Sequence, residues 1–75
     1  MRRLGYFIHR SSTGKLVVKL VSPRPPKIGV RVLNSKGRVV GRVIDVIGPV
    51  RSPYAIIKPT LSGVKLREYE ELYLK

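Results

Sequence analysis

Asp45–Pro59, DVIGPVRSPYAIIKP, is the stretch from which the fold can be read. It holds three of the chain's six prolines and the only acidic residue before Glu68. Apolar runs at Val39–Ile47 and Tyr54–Ile57 flank a stiff connection, Gly48-Pro49-Val50-Arg51-Ser52-Pro53. Proline fixes φ and removes a backbone donor, while glycine reaches positive φ at little cost. A segment built this way turns the chain between two strands and has few conformations to lose. Either it is a β-connection that only sets the path of the chain, or it presents its side chains rigidly to a partner.

On either side the chain reads as short strands divided by turns. Leu4–Ile8 is a first strand candidate, rich in aromatic and β-branched residues. Ser11–Gly14 is a turn, and Lys15–Val21 alternates so that Leu16, Val18 and Leu20 form its core face. Ser22-Pro23-Arg24-Pro25-Pro26-Lys27 forces an extended, non-helical connector. Val30–Leu33 is a short strand, and Asn34–Gly37 is a hairpin turn.

Arg38–Ile47 is the longest strand candidate. Val39, Gly41, Val43, Asp45 and Ile47 share one face of it, and Arg38, Val40, Arg42, Ile44 and Val46 share the other. Both faces carry β-branched residues. The strand is therefore buried on both sides, or Gly41 marks a bulge that flips the parity, or the outer apolar face is an interface. Tyr54–Lys58 is the fifth strand, closed by Pro59. Thr60–Glu70 is an irregular loop containing Gly63, and Glu71–Leu74 is a short sixth strand able to pair with the first. A helical reading of the final REYEELYLK is too short to stand without packing. No internal repeat or low-complexity tail is visible. Six short strands in 75 residues predict one all-β domain over residues 1–75, a small six-stranded β-barrel whose closure removes exposed edges.

Sixteen Lys and Arg against four acids give a net charge of +12, spread from Arg2 to Lys75. A merely soluble surface usually balances Lys with Glu. An unbalanced positive surface makes nucleic acid, or a ribonucleoprotein, the natural partner class. A chain of this size buries roughly 60% of its unfolded surface and gains stability from a partner. The absence of cysteine excludes disulfides and thiolate metal sites, and it permits a reducing, cytoplasmic setting, where the protein is expected. No apolar run exceeds four residues and Met1-Arg2-Arg3 is followed by no apolar signal core, so no membrane partner is expected.

Catalytic chemistry is hard to assemble. His9 is the only histidine, and no cysteine is present to complete a metal site. The serines sit beside Gly or Pro in turns, and Lys15 after Gly14 lacks the glycine-rich frame of a phosphate loop. No enzyme activity, cofactor or metal is expected. Asp45 is the one acid in a strand before the C-terminal acidic cluster; it braces the Gly48-Pro49 turn, pairs with Arg42 or Arg51, or forms an ion pair across an interface. Tyr54 beside Pro53 is either an interface anchor or a core residue.

Gly41-Arg42-Val43-Ile44-Asp45-Val46-Ile47-Gly48-Pro49-Val50, followed by Ser52-Pro53-Tyr54-Ala55-Ile56-Ile57-Lys58-Pro59, resembles the core motif of the Gar family, the small basic subunits of H/ACA ribonucleoproteins, and looks like an archaeal member. More loosely, Arg3-Leu4-Gly5 and Glu71-Leu72-Tyr73 fit the same layout. The resemblance implies a β-barrel of the reductase/isomerase/elongation factor type, as in translation elongation factors. It implies a non-catalytic subunit that binds the catalytic domain of a pseudouridine synthase and promotes substrate loading and product release in guide-RNA-directed pseudouridylation of rRNA. Contacts with the other H/ACA proteins and the guide RNA would be indirect. Carried over by motif, the partner-binding residues are Val46, Gly48, Pro49, Val50, Pro53 and Tyr54, with Asp45 bracing the turn. Arg38, Arg42, Arg51 and Lys58 are the candidate RNA-proximal cations. The sequence carries neither a glycine/arginine-rich extension nor a lysine-rich tail, so RNA contact through a tail is not expected. The competing reading is a small ribosomal or translation-associated barrel that binds RNA directly.

Overall fold

The computed structural model describes residues 2–21, 24–60 and 65–75. Ser22 and Pro23 of the proline-rich connector, and Ser62 and Gly63 of the Thr60–Glu70 loop, lie outside the described residues. Six strands form: β1 (Arg2–Arg10), β2 (Leu16–Leu20), β3 (Arg31–Leu33), β4 (Val39–Ile47), β5 (Tyr54–Pro59) and β6 (Glu71–Leu74). They close into an all-antiparallel barrel in the order β1-β2-β5-β4-β3-β6. No helix is present among the described residues. The sixth strand pairs with the first, as expected, and also with β3. β1 runs two residues further at each end than its apolar pattern alone marks, because β2 and β6 both pair along it.

Leu16, Val18 and Leu20 do face the core, with Leu4, Phe7, Val32, Val40, Val43, Ala55, Ile57, Leu72 and Leu74. Of the three readings of β4, burial on both sides is overturned. Val40, Gly41 and Val43 are buried while Arg42, Ile44, Asp45 and Ile47 are exposed. The parity does flip, at irregularities on either side of Arg42 and not at one glycine. Against β3 the register slips across Val40, and against β5 it slips across Ile44. Each bulge places one extra residue on β4, re-aims the side chains beyond it and bends the strand around the barrel.

A repeat invisible in the sequence appears in the registers. The β1–β2 pairs Gly5–Leu20, Tyr6–Lys19, Phe7–Val18 and His9–Val17 match the β4–β5 pairs Gly41–Pro59, Arg42–Lys58, Val43–Ile57 and Asp45–Ile56. The slip at Ile8 matches that at Ile44, and the slip at Leu4 against β6 matches that at Val40 against β3. The segments that precede β3 and β6 correspond as well. Gly29 donates to Val43 O at 2.7 Å as Tyr69 donates to Phe7 O at 2.7 Å. Both Gly29 (φ 91°) and Tyr69 (φ 66°) are left-handed. β1, β2 and β6 thus correspond to β4, β5 and β3, and the barrel is two similar halves.

Gly5 and Gly41 explain how the halves close. A Cβ on Gly5 would collide with the Lys19 carbonyl oxygen, and one on Gly41 with the Lys58 carbonyl oxygen and Ile57 Cγ2. Only glycine lets the neighbouring strand come this near at the bend.

Candidate functional site

The β4–β5 turn is held at both ends. Gly48 has φ 94°, a conformation costly for any residue with a Cβ. Ser52 N–H donates to Pro49 O at 2.9 Å, closing a β-turn over Val50 and Arg51. Leu20 N–H donates to Pro53 O at 3.2 Å, which ties the end of the turn to β2. The Tyr54 ring lies under Lys19, with Nζ 4.6 Å from its centroid, a cation–π contact. Two prolines, one left-handed glycine and these three contacts leave the segment little freedom.

Apart from the exposed Arg51, what the turn presents is apolar. Val50 is 96% exposed, and Ile44 and Ile47 are 40% and 46% exposed on the adjoining strand. Pro49 and Gly48 are exposed; Pro53 and Tyr54 are half-buried. Val46 behaves differently from the other motif residues, packing against the core from a half-buried position. Ile44 and Ile47 take the outward place instead, because the slip at Ile44 re-aims the strand. No local sequence signal distinguishes them from Val46.

The Asp45 carboxylate does not brace the turn. Its Oδ1 accepts the N–H of Val46 at 2.8 Å, and the side chain is exposed. It therefore serves the strand just past the slip, where pairing with β5 resumes. Neither Arg42 nor Arg51 pairs with it within 4 Å. The C-terminal acids also have local work. Glu71 pairs with Arg3 at 2.7 Å and accepts the Tyr73 hydroxyl at 3.1 Å, and Glu70 Oε1 accepts Arg67 N–H at 3.1 Å. That hydroxyl bond to Glu71 is the main reason the Tyr73 phenol titrates above its ordinary range.

The four candidate cations do not form one patch. Arg51 sits in the turn, and Arg38 follows the Asn34–Gly37 hairpin turn, donating its N–H to Asn34 Oδ1 at 2.9 Å. Arg42 and Lys58 are direct cross-strand neighbours on β4 and β5, and Arg31 on β3 is the neighbour of Arg42 on the other side. Arg31 joins this row through register, which the sequence does not display. His9 lies exposed with Nδ1 3.0 Å from Arg10 O. No three His, Cys, Asp or Glu among the described residues come together where a metal ion could be held.

No family model matches the chain. It is 38% identical over 60 residues to an uncharacterized protein of Methanothermobacter thermautotrophicus, covering 80% of this chain and 63% of that protein. It is 32% identical over 67 residues to the H/ACA ribonucleoprotein complex subunit GAR1 of Chaetomium globosum, covering 89% of this chain and 31% of that subunit. Each match leaves too few residues outside it to omit β4, β5 or the turn between them. The chain spans less than two thirds of either relative and is a distant relative of GAR1.

Proposed function

We propose that the chain is a non-catalytic subunit of an H/ACA ribonucleoprotein, docking on the catalytic domain of the pseudouridine synthase through the Gly48–Tyr54 turn and the adjoining Ile47. In this role it promotes substrate loading and product release during guide-directed pseudouridylation of rRNA, in the cytoplasm. The observation that carries the reading is the 32% identity to GAR1 over nearly the whole chain. The rigid, apolar, protruding turn is the second support: rigidity lowers the ordering cost of docking, and exposed aliphatic groups supply its driving force. Contacts with the other proteins and the guide RNA are mainly indirect, through the synthase.

Capture of the synthase by the wild type and by a Pro49→Asp, Tyr54→Asp double variant tests the surface. The double variant loses capture; equal capture refutes the surface. Turnover tests the role. Without the subunit, multiple-turnover pseudouridylation slows while a single turnover suffers less; equal loss in both refutes the product-release step. A translation-associated RNA-binding barrel predicts instead no capture of the synthase by either protein.

A further inference from the structure

The two halves of the barrel act as internal controls for each other. On the outer face of the first half, one register row reads Glu71–Tyr6–Lys19 across β6, β1 and β2. Acid, aromatic and cation sit side by side, and Tyr6 also packs edge-on against Tyr69 at 6.0 Å. The equivalent row of the second half reads Arg31–Arg42–Lys58 across β3, β4 and β5. All three are exposed. None has a carboxylate within 4 Å among the described residues. Like charges directly opposite each other destabilise a sheet. Lys19 and Lys58 are equivalent, but the first half shows that the fold has no need of cations at the places of Arg31 and Arg42.

Beside the row runs an open groove of about 790 Å³ lined by Ile28, Ile44 and Pro59 together with Arg42 and Lys58. Ile28 is 63% exposed at the tip of a turn fixed by the Val30 N–H to Lys27 O bond of 3.3 Å and by left-handed Gly29. The corresponding residue of the other half is Glu68, so an exposed isoleucine is not imposed by the turn either. Two cations of the row, Arg42 and Lys58, and the aliphatic Ile28 and Ile44 line one groove, and this mixture matches a strand that offers both phosphates and unpaired bases. A duplex offers mainly the first. The row also lies six residues along β4 from Gly48, roughly 20 Å at strand spacing, so it stays clear of a partner on the turn.

We infer that the Arg31–Arg42–Lys58 row and the groove beside it bind single-stranded RNA, phosphates on the cations and bases on Ile28 and Ile44. The inference does not depend on the docking reading. The site is sequence-tolerant, because no side chain in it reads a base edge in a fixed geometry.

The test is fluorescence anisotropy of a labelled oligouridylate titrated with the full chain at several salt concentrations. Arg31→Gln, Arg42→Gln, Lys58→Gln is compared with a control of equal charge loss, Lys15→Gln, Lys36→Gln, Lys65→Gln. Losing three phosphate contacts lowers the salt slope by about 2, so between about 50 and 200 mM salt the wild type loses roughly 16-fold more affinity than the row variant. The control keeps most of the wild-type slope. Equal slopes for the two variants would mean diffuse charge only and overturn the site. A row variant that melts below the wild type would show that the fold uses these cations, against the inference; an equal or higher Tm supports it. Duplex RNA bound as tightly as the single strand overturns the role of the groove. An oligoglutamate peptide bound more tightly than RNA, and lost in the row variant, assigns the row to an acidic protein segment instead. Synthase capture by the row variant, set against RNA binding by the Pro49→Asp, Tyr54→Asp variant, separates failure here from failure of the docking reading.

Discussion

Val50→Ala should leave the fold alone and weaken docking on the synthase by an amount that can be worked from one residue. Val50 is 96% exposed, so shortening it changes stability by no more than about 0.5 kcal/mol. If docking buries it, the lost pair of methylene equivalents is worth about 0.8 kcal/mol each, about 1.6 kcal/mol together. That is roughly a 15-fold rise in Kd. The same change at Val43, 0% exposed, removes the same groups from the core and leaves a cavity, at a cost of about 2–4 kcal/mol of stability. Val50 is a cleaner probe than Tyr54, because Tyr54 also carries the Lys19 contact, about 0.5–1 kcal/mol at an exposed site, and its loss would loosen the turn itself. Isothermal titration of the synthase with wild type and variant gives the ratio of Kd values, and scanning calorimetry of each confirms that the fold is untouched. A Kd within threefold of wild type, with Tm unchanged, would refute the claim that this side chain enters the interface.

Two further outcomes concern the scaffold. Gly41→Ala should abolish folding at ordinary temperatures, since its Cβ meets the Lys58 carbonyl and the whole domain holds only about 4–11 kcal/mol. Gly48→Ala meets nothing closer than 3.4 Å and should cost only the backbone strain, about 1–2 kcal/mol, a fall in Tm of roughly 5–15 °C by calorimetry. Equal destabilisation by the two would refute the close-approach account of Gly41. The Tyr73 phenol is raised by its bond to Glu71, then by desolvation and the Glu71 charge, with Arg3 opposing. A raised folded value means its contribution is complete below the ordinary phenol range and is lost as pH climbs through that value. The stability difference between wild type and Tyr73→Phe, followed by denaturant melts, should therefore shrink above about pH 10. A flat difference would show that the hydroxyl does no work.

The number of strands, their places along the chain, the core face of β2 and the position of the turn are legible in sequence, because each follows from local periodicity or turn chemistry; the β1–β6 pairing follows from closing so small a sheet, and the order of the other strands around the barrel is not legible. The facing of β4 was not. Its two slips depend on different partners, β3 at Val40 and β5 at Ile44, and nothing local to β4 records either register. The motif resemblance names Val46 and not Ile47 for the partner surface, and the strand's own alternation leaves that choice uncorrected. Bracing of the turn is one of the readings that sequence allows for Asp45, but its carboxylate accepts the amide of the next residue. Arg31 escaped notice because it meets Arg42 only through sheet pairing, eleven residues away in sequence. The repeat was hidden because the halves share geometry at Gly5 and Gly41, Ile8 and Ile44, and otherwise only hydrophobic character.

That repeat changes the weight of the opening stretch. The first hairpin joins the pair Arg10–Leu16 with the short Ser11–Lys15 connection, bridged by Ser11 N–H to Lys15 O at 2.8 Å. The second joins the equivalent pair Val46–Ala55 with three residues more, two of them the rigid Pro49 and Pro53. A connection that only set the path of the chain had a shorter solution within the same molecule. The extra length ends in an exposed valine, and exposed apolar surface on a stiffened loop is unfavourable for the isolated chain. The uncompensated cation row makes the same point at the far end of the same hairpin. Both departures from the economical half involve the β4–β5 hairpin, one apolar at its turn and one cationic at Arg42 and the neighbouring Arg31 of β3, about 20 Å apart. A hairpin so arranged can face a protein with one end and RNA with the other, and the barrel's first half carries neither feature.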